Sequence, residues 1–168
     1  MKKLLAVAVL ALVAAGSAKA QTANIQATAT VSTPLVLTAG TGLLFGDVFP
    51  GFNRTINPLT SASAGTFTLA GQAGAQVQLN FTLPATLTGP STALAMTYGA
   101  GAATYGTTNV QASATAFNPA TANYLVNLSA GGAGNGYIWI GGTVTVPGGQ
   151  TAGNYAGTIT LAAAYTGN

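Results

Sequence analysis

Gln76-Val77-Gln78-Leu79-Asn80-Phe81-Thr82-Leu83 alternates polar and apolar residues without a break. Successive side chains of a β-strand point to opposite faces, so Val77, Leu79, Phe81 and Leu83 share one surface and the polar residues the other. A helix would scatter the same residues around its circumference. The stretch is a strand with one buried face, and the same period recurs on either side of it. Ala23, Ile25, Ala27, Ala29 and Val31 alternate with Asn24, Gln26, Thr28, Thr30 and Ser32. Near the end, Tyr155, Ile159, Leu161, Ala163 and Tyr165 share a phase. Shorter strand candidates are Leu35–Thr38, Leu43–Val48, Thr66–Leu69, Ala95–Tyr98 and Tyr124–Leu128.

Turn chemistry falls between these segments: Pro50-Gly51, Asn57-Pro58, Gly89-Pro90, Asn118-Pro119, Gly134-Asn135-Gly136 and Pro147-Gly148-Gly149. No stretch after residue 20 carries a 3.6-residue apolar period. Many short strands punctuated by Gly and Pro predict an all-β chain, a single antiparallel β-sandwich. Gly99–Ala122 is poor in large apolar residues and reads as a long, loosely structured connection.

Met1-Lys2-Lys3 is a basic start, Leu4 to Ala15 an apolar run, and Ala18-Lys19-Ala20 a small-x-small cleavage pattern. Together they predict an N-terminal signal peptide over 1–20, cleaved after Ala20. The expected organisation is therefore 1–20 signal peptide and 21–168 one β-sandwich domain, with 21–32 as a donor strand or the first strand. No later run is long enough for a membrane-spanning helix. The expected destination is the extracellular space or cell surface, reached through the periplasm.

Three of the four basic residues, Lys2, Lys3 and Lys19, lie in that leader, so the formal net charge of +3 belongs to it. The remaining 168 − 20 = 148 residues hold Asp47 and Arg54 as their charged side chains, with no histidine, cysteine or glutamate. Nucleophilic triads need His, paired-carboxylate hydrolysis needs two acids, and a tetrahedral zinc site needs Cys or His. Nucleic-acid binding needs a basic surface that Arg54 alone does not make. These absences predict a non-enzymatic protein with no cofactor, no metal and no nucleic-acid partner.

Two pairs stand out. Asp47 and Arg54 bracket Val48-Phe49-Pro50-Gly51-Phe52-Asn53 and read as a structural ion pair across that turn. Tyr137 and Trp139 alternate with Ile138 and Ile140. If Ile138, Ile140, Val144 and Val146 face the core, the two aromatics point outward as contact residues for another subunit or a sugar. The alternative is a bulge at Gly141-Gly142 that flips the phase and buries Trp139.

Several landmarks resemble one family of bacterial exported proteins, the domain of unknown function 4402. They are Pro34–Leu37, Leu43-Leu44-Phe45-Gly46-Asp47-Val48, Phe67–Gly71, Val77–Pro84, Ile140–Val146 and Gly153-Asn154-Tyr155-Ala156-Gly157-Thr158 leading to Tyr165. The last block is also similar to the closing strand of spore-coat-type and chaperone–usher pilin domains. The resemblance implies an immunoglobulin-like or pilin-like sandwich. For pilins it implies assembly by N-terminal strand donation, with a periplasmic chaperone as a partner. The chain departs from major pilins in lacking a cysteine pair and in placing Tyr165 before Thr166-Gly167-Asn168.

Natural sheet proteins keep their edges apart with lysines and inward charges. Beyond the leader this chain has no lysine, and uncharged surfaces repel one another weakly. The expectation is a structural subunit of a fibre, coat or matrix that self-associates or joins other envelope proteins. Ala23, Ile25, Ala27, Ala29 and Val31 form the candidate assembly strand. Two alternatives are a glycan-binding adhesin module using Tyr137 and Trp139, and a small outer-membrane barrel. Short strands and the absence of a terminal aromatic count against the barrel.

Overall fold

The computed structural model describes residues 21–29, 31 and 33–167. The chain divides into two units, Met1–Val31 and Ser32–Asn168. The predicted leader, 1–20, lies outside the described residues, as do Thr30 and Ser32 of the candidate assembly strand. The described part of that strand, 21–29 and 31, belongs to no strand, and Ile25 and Val31 are 96% and 97% exposed.

Among the described residues, all strands lie in the second unit. In chain order they are β1 (Val36–Ala39), β2 (Arg54–Ile56), β3 (Gly65–Ala70), β4 (Gln76–Thr82), β5 (Thr86–Leu87) and β6 (Leu94–Thr97). There follow β7 (Ala103–Gly106), β8 (Thr115–Phe117), β9 (Tyr124–Asn127), β10 (Asn135–Ile140), β11 (Gly142–Thr145) and β12 (Thr160–Tyr165). They pair antiparallel throughout, in three sheets ordered β1-β3-β10-β7-β8, β2-β11-β6-β5 and β12-β4-β9. None of the sheets closes on itself, so the all-β sandwich reading holds and the barrel alternative finds no barrel among the described residues.

The alternating stretch that opened the sequence reading is β4, paired with β12 from Val77↔Tyr165 to Thr82↔Thr160 and with β9 on its other side. Val77 and Leu79 are fully buried, as their phase requires. They meet Leu69, Ile138 and Ile140 from the five-stranded sheet, which makes these two sheets the layers of the sandwich. Aromatic rings fill the space between them: Phe67 lies edge-on to Phe81 at 6.2 Å, and Phe117 stacks on Tyr124 at 4.1 Å. Each large side chain removed from water here contributes about 1.5–3 kcal/mol.

The four-stranded sheet continues the five-stranded one. β10 and β11 are separated by Gly141 alone, and both neighbours cross with them: β10 pairs with β3 and β7, β11 with β2 and β6. Gly141 keeps the ribbon connected by donating its N–H to the Ala102 carbonyl at 2.8 Å. A side chain at this position would collide with the Ile56 carbonyl and the Pro58 ring, so the strands change sheet here only because the residue has none.

Two expectations are corrected. Gly99–Ala122 is not a loose connection: it holds β7, a 3-10 turn at Gln111–Ser113, and β8. Its strands are built from small residues, Ala103 and Thr104 among them, both fully buried. Leu43–Val48 is not a strand. Its apolar residues still alternate in burial, Leu43 and Phe45 half-buried and Leu44 exposed, but the backbone pairs with no neighbouring strand.

Candidate functional site

The face of β10 that carries Tyr137 and Trp139 is opposite to the one that carries Ile138 and Ile140, so the expected phase holds within β10, whereas Val144 and Val146 pack in a separate cluster. The expected exposure does not hold. Trp139 is 6% exposed and sits with Ile56, Ala64 and Ala114, with Leu59 and Tyr137 packed alongside. A cover lies over it, and Leu43 and Phe45 belong to that cover while also packing against Val144 and Val146 beyond Gly141-Gly142. Residues 57–64 fold across this face, starting from an Asx turn in which Asn57 Oδ1 accepts the Leu59 N–H at 2.9 Å. Gln111 then fastens the cover, its Nε2 donating to the Pro58 and Ser61 carbonyls at 2.8 and 2.9 Å. Tyr137 and Trp139 stack at 6.3 Å, with Trp139 buried and Tyr137 half-buried against the same cluster.

Asp47 and Arg54 are both exposed, and no salt bridge joins them. The expected ion pair is thus not formed. Arg54 opens edge strand β2 opposite Val144, while Asp47 stands on the unpaired 43–48 segment. An exposed pair would have added about 0–1 kcal/mol at most, so the turn loses little by its absence. What holds it is backbone: the Phe52 N–H donates to the Phe49 carbonyl at 3.1 Å and the Gly51 N–H to the Val146 carbonyl at 2.9 Å. Gly51 has φ of 86°, a left-handed value that suits glycine at this point of a tight turn.

The feature that the sequence did not reveal is a cleft of about 710 Å³ over the four-stranded sheet. Its floor is Leu94 and Met96 of β6, Val144 of β11, and Val146 just beyond, all nearly sealed from water. One wall is the 43–50 segment and the other is 150–157. Among the described residues, the N–H groups of Phe45 to Phe49 on one wall and of Ala152 to Tyr155 on the other donate no hydrogen bond. The second wall is nevertheless rigid. Gln150 Nε2 donates to the Tyr155 hydroxyl at 2.6 Å and to the Thr92 carbonyl, and Tyr155 Oη donates to the Thr151 carbonyl at 2.8 Å.

An apolar floor between two walls of unpaired backbone is what an added β-strand requires. Hydrogen bonds to the walls supply affinity, and alternate side chains point to the floor. Leu43, Phe45 and Val48 of one wall and Tyr155 of the other already pack against the floor, so an incoming strand takes the place of these side chains. Asp47 is the one carboxylate among the residues that line the cleft. Among the described residues no cluster of three or more His, Cys, Asp or Glu exists, and no helix is long and apolar enough to cross a membrane.

A hint was present in the sequence. Leu43–Val48 and Gly153–Thr158 both stand out in the sequence, as a strand candidate and as family landmarks and not as facing walls. Only the fold brings residues a hundred positions apart to the two sides of one sheet. No family model matches the chain, and no curated protein matches it either.

Proposed function

We propose that this chain is an exported, non-enzymatic structural subunit of a cell-surface or extracellular assembly, whose copies are joined by β-strand addition. The observation that carries the reading is the cleft over the four-stranded sheet, with unpaired N–H groups at Phe45–Phe49 on one wall and Ala152–Tyr155 on the other. The donor is the 21–32 segment of another copy. Its apolar phase, Ala23, Ile25, Ala27, Ala29 and Val31, is mostly small, and its polar phase has no charge to desolvate. The described residues of that segment lie outside every strand, with Ile25 exposed. The similarity of its last block to the closing strand of pilin domains, which assemble by strand donation, points the same way.

Removing Gln21–Ser32 tests this directly. The expected product is folded, by far-UV circular dichroism and cooperative urea unfolding, yet forms no filaments by electron microscopy. A synthetic peptide of residues 21–32 should bind that truncated protein and raise its unfolding midpoint by mass action. Filaments formed equally well without the segment, or a truncated chain that cannot fold, would refute strand donation.

A further inference from the structure

Asp47 and Arg54, the two charged side chains among the described residues, stand on either side of an exposed apolar turn and do not pair with each other. Phe49 and Phe52 are 68% and 71% exposed at the turn, and Leu44 is 62% exposed on the same segment. Each charge is two residues from a phenylalanine, so its Cα lies within about 7 Å of that residue's Cα. The tip is not loose. Gly51 is tied to the Val146 carbonyl at the end of the four-stranded sheet, and the turn is closed by the Phe52 to Phe49 bond. A rigid apolar tip flanked by one positive and one negative group is an unusual surface to leave in water.

Its charge says what covers it. A lipid surface would be met by a cluster of cations, and here the single cation is cancelled by a neighbouring anion. A patch with one charge of each sign is complementary to itself after a two-fold rotation. We infer that the Phe49–Phe52 turn is a self-contact between two copies of this chain. The phenylalanines of the two turns pack together at the centre, Asp47 of each copy meets Arg54 of the other, and the interface is isologous. The contact needs neither residues 21–32 nor an inserted strand. Asp47 and Phe49 also rim the cleft, so the test relies on exchange of charge, which strand insertion does not predict.

The soluble fraction of the exported protein is followed by sedimentation equilibrium at low salt, together with Asp47→Arg and Arg54→Asp. The native protein is expected to form a reversible dimer that weakens as salt is added. Each variant alone, carrying two like charges at the contact, should dimerise at least about tenfold more weakly. An equimolar mixture of the two restores opposite charges at both positions and should dimerise as the native protein does. Filaments scored in the Arg54→Asp sample report on strand insertion separately and should be unchanged, because Arg54 does not line the cleft. The inference is overturned if the native protein stays monomeric, if the single variants dimerise as it does, or if the mixture is no better than its parts.

Discussion

The Tyr165 hydroxyl donates to the Thr33 carbonyl at 2.8 Å, joining residues 132 positions apart. The same oxygen accepts the Gln72 N–H at 2.7 Å. One phenol at the end of β12 therefore ties down both the chain entering β1 and the turn between β3 and β4. Tyr165→Phe removes both bonds and leaves the ring in place. The expected loss is about 1–2 kcal/mol, read as a lower urea midpoint with an unchanged slope.

Tyr98 and Tyr105 should respond to the same change in opposite ways. The Tyr98 hydroxyl is buried with no hydrogen-bond partner, whereas Tyr105 donates to the Asn127 carbonyl at 2.7 Å. Deleting an unsatisfied buried hydroxyl removes a desolvation cost, and deleting a satisfied one orphans its partner. Tyr98→Phe is expected to be neutral or stabilising and Tyr105→Phe to cost about 1 kcal/mol in chemical denaturation.

Burial also pushes both phenols up from 10.0 to about 12. Below pH 10 the folded and unfolded chains hold the same phenolic protons, so stability from this source is fully present. Between pH 10 and about 12 the unfolded chain releases protons that the folded chain keeps, and stability falls. With no histidine in the chain, no side chain of that type adds a pH dependence near neutrality. Thermal unfolding followed across pH should show a plateau around neutrality and a decline above pH 10. A decline beginning near pH 7 would contradict this.

Trp139 offers the simplest optical check. At 6% exposure its emission should be blue-shifted and shielded from acrylamide in the native state. Adding sugars should leave it unchanged, because the ring is covered by Ile56, Ala64 and Ala114. Trp139→Ala empties that cluster and is expected to cost about 3–5 kcal/mol.

Gly141→Ala places a methyl against the Ile56 carbonyl and the Pro58 ring at the point where the ribbon changes sheet. Neither neighbour is the free end of a flexible side chain. The expected cost is about 3 kcal/mol, and the paired substitution Gly42→Ala, whose added methyl meets nothing, should be close to neutral.

Alternation made β4 and β12 readable, and with them the sandwich: Val77, Leu79 and Leu161 are buried in the phase their order demands. β7 and β8 were hidden because Ala103, Thr104 and Ala116 are small, and a reading that counts large apolar residues passes over strands that pack closely. β2 and β5 are too short to show a period at all. Leu43–Val48 misled in the other direction. Its side chains alternate as a strand's do, yet its one backbone hydrogen bond among the described residues, from the Leu44 N–H to the Ser63 carbonyl at 2.9 Å, goes to a residue before β3 and not to a strand.

The order of polar and apolar residues by itself determined that this chain is all β, because the two-residue period follows from the covalent geometry of an extended backbone. It also determined that the described surface carries almost no charge. Only the tertiary structure decided that the outer face of β10 is covered, that Asp47 and Arg54 stay apart, and that two partly unpaired walls flank an apolar floor. Those outcomes depend on segments such as 57–64 and 150–157 arriving from far along the chain, and no local pattern encodes what will come to lie beside it.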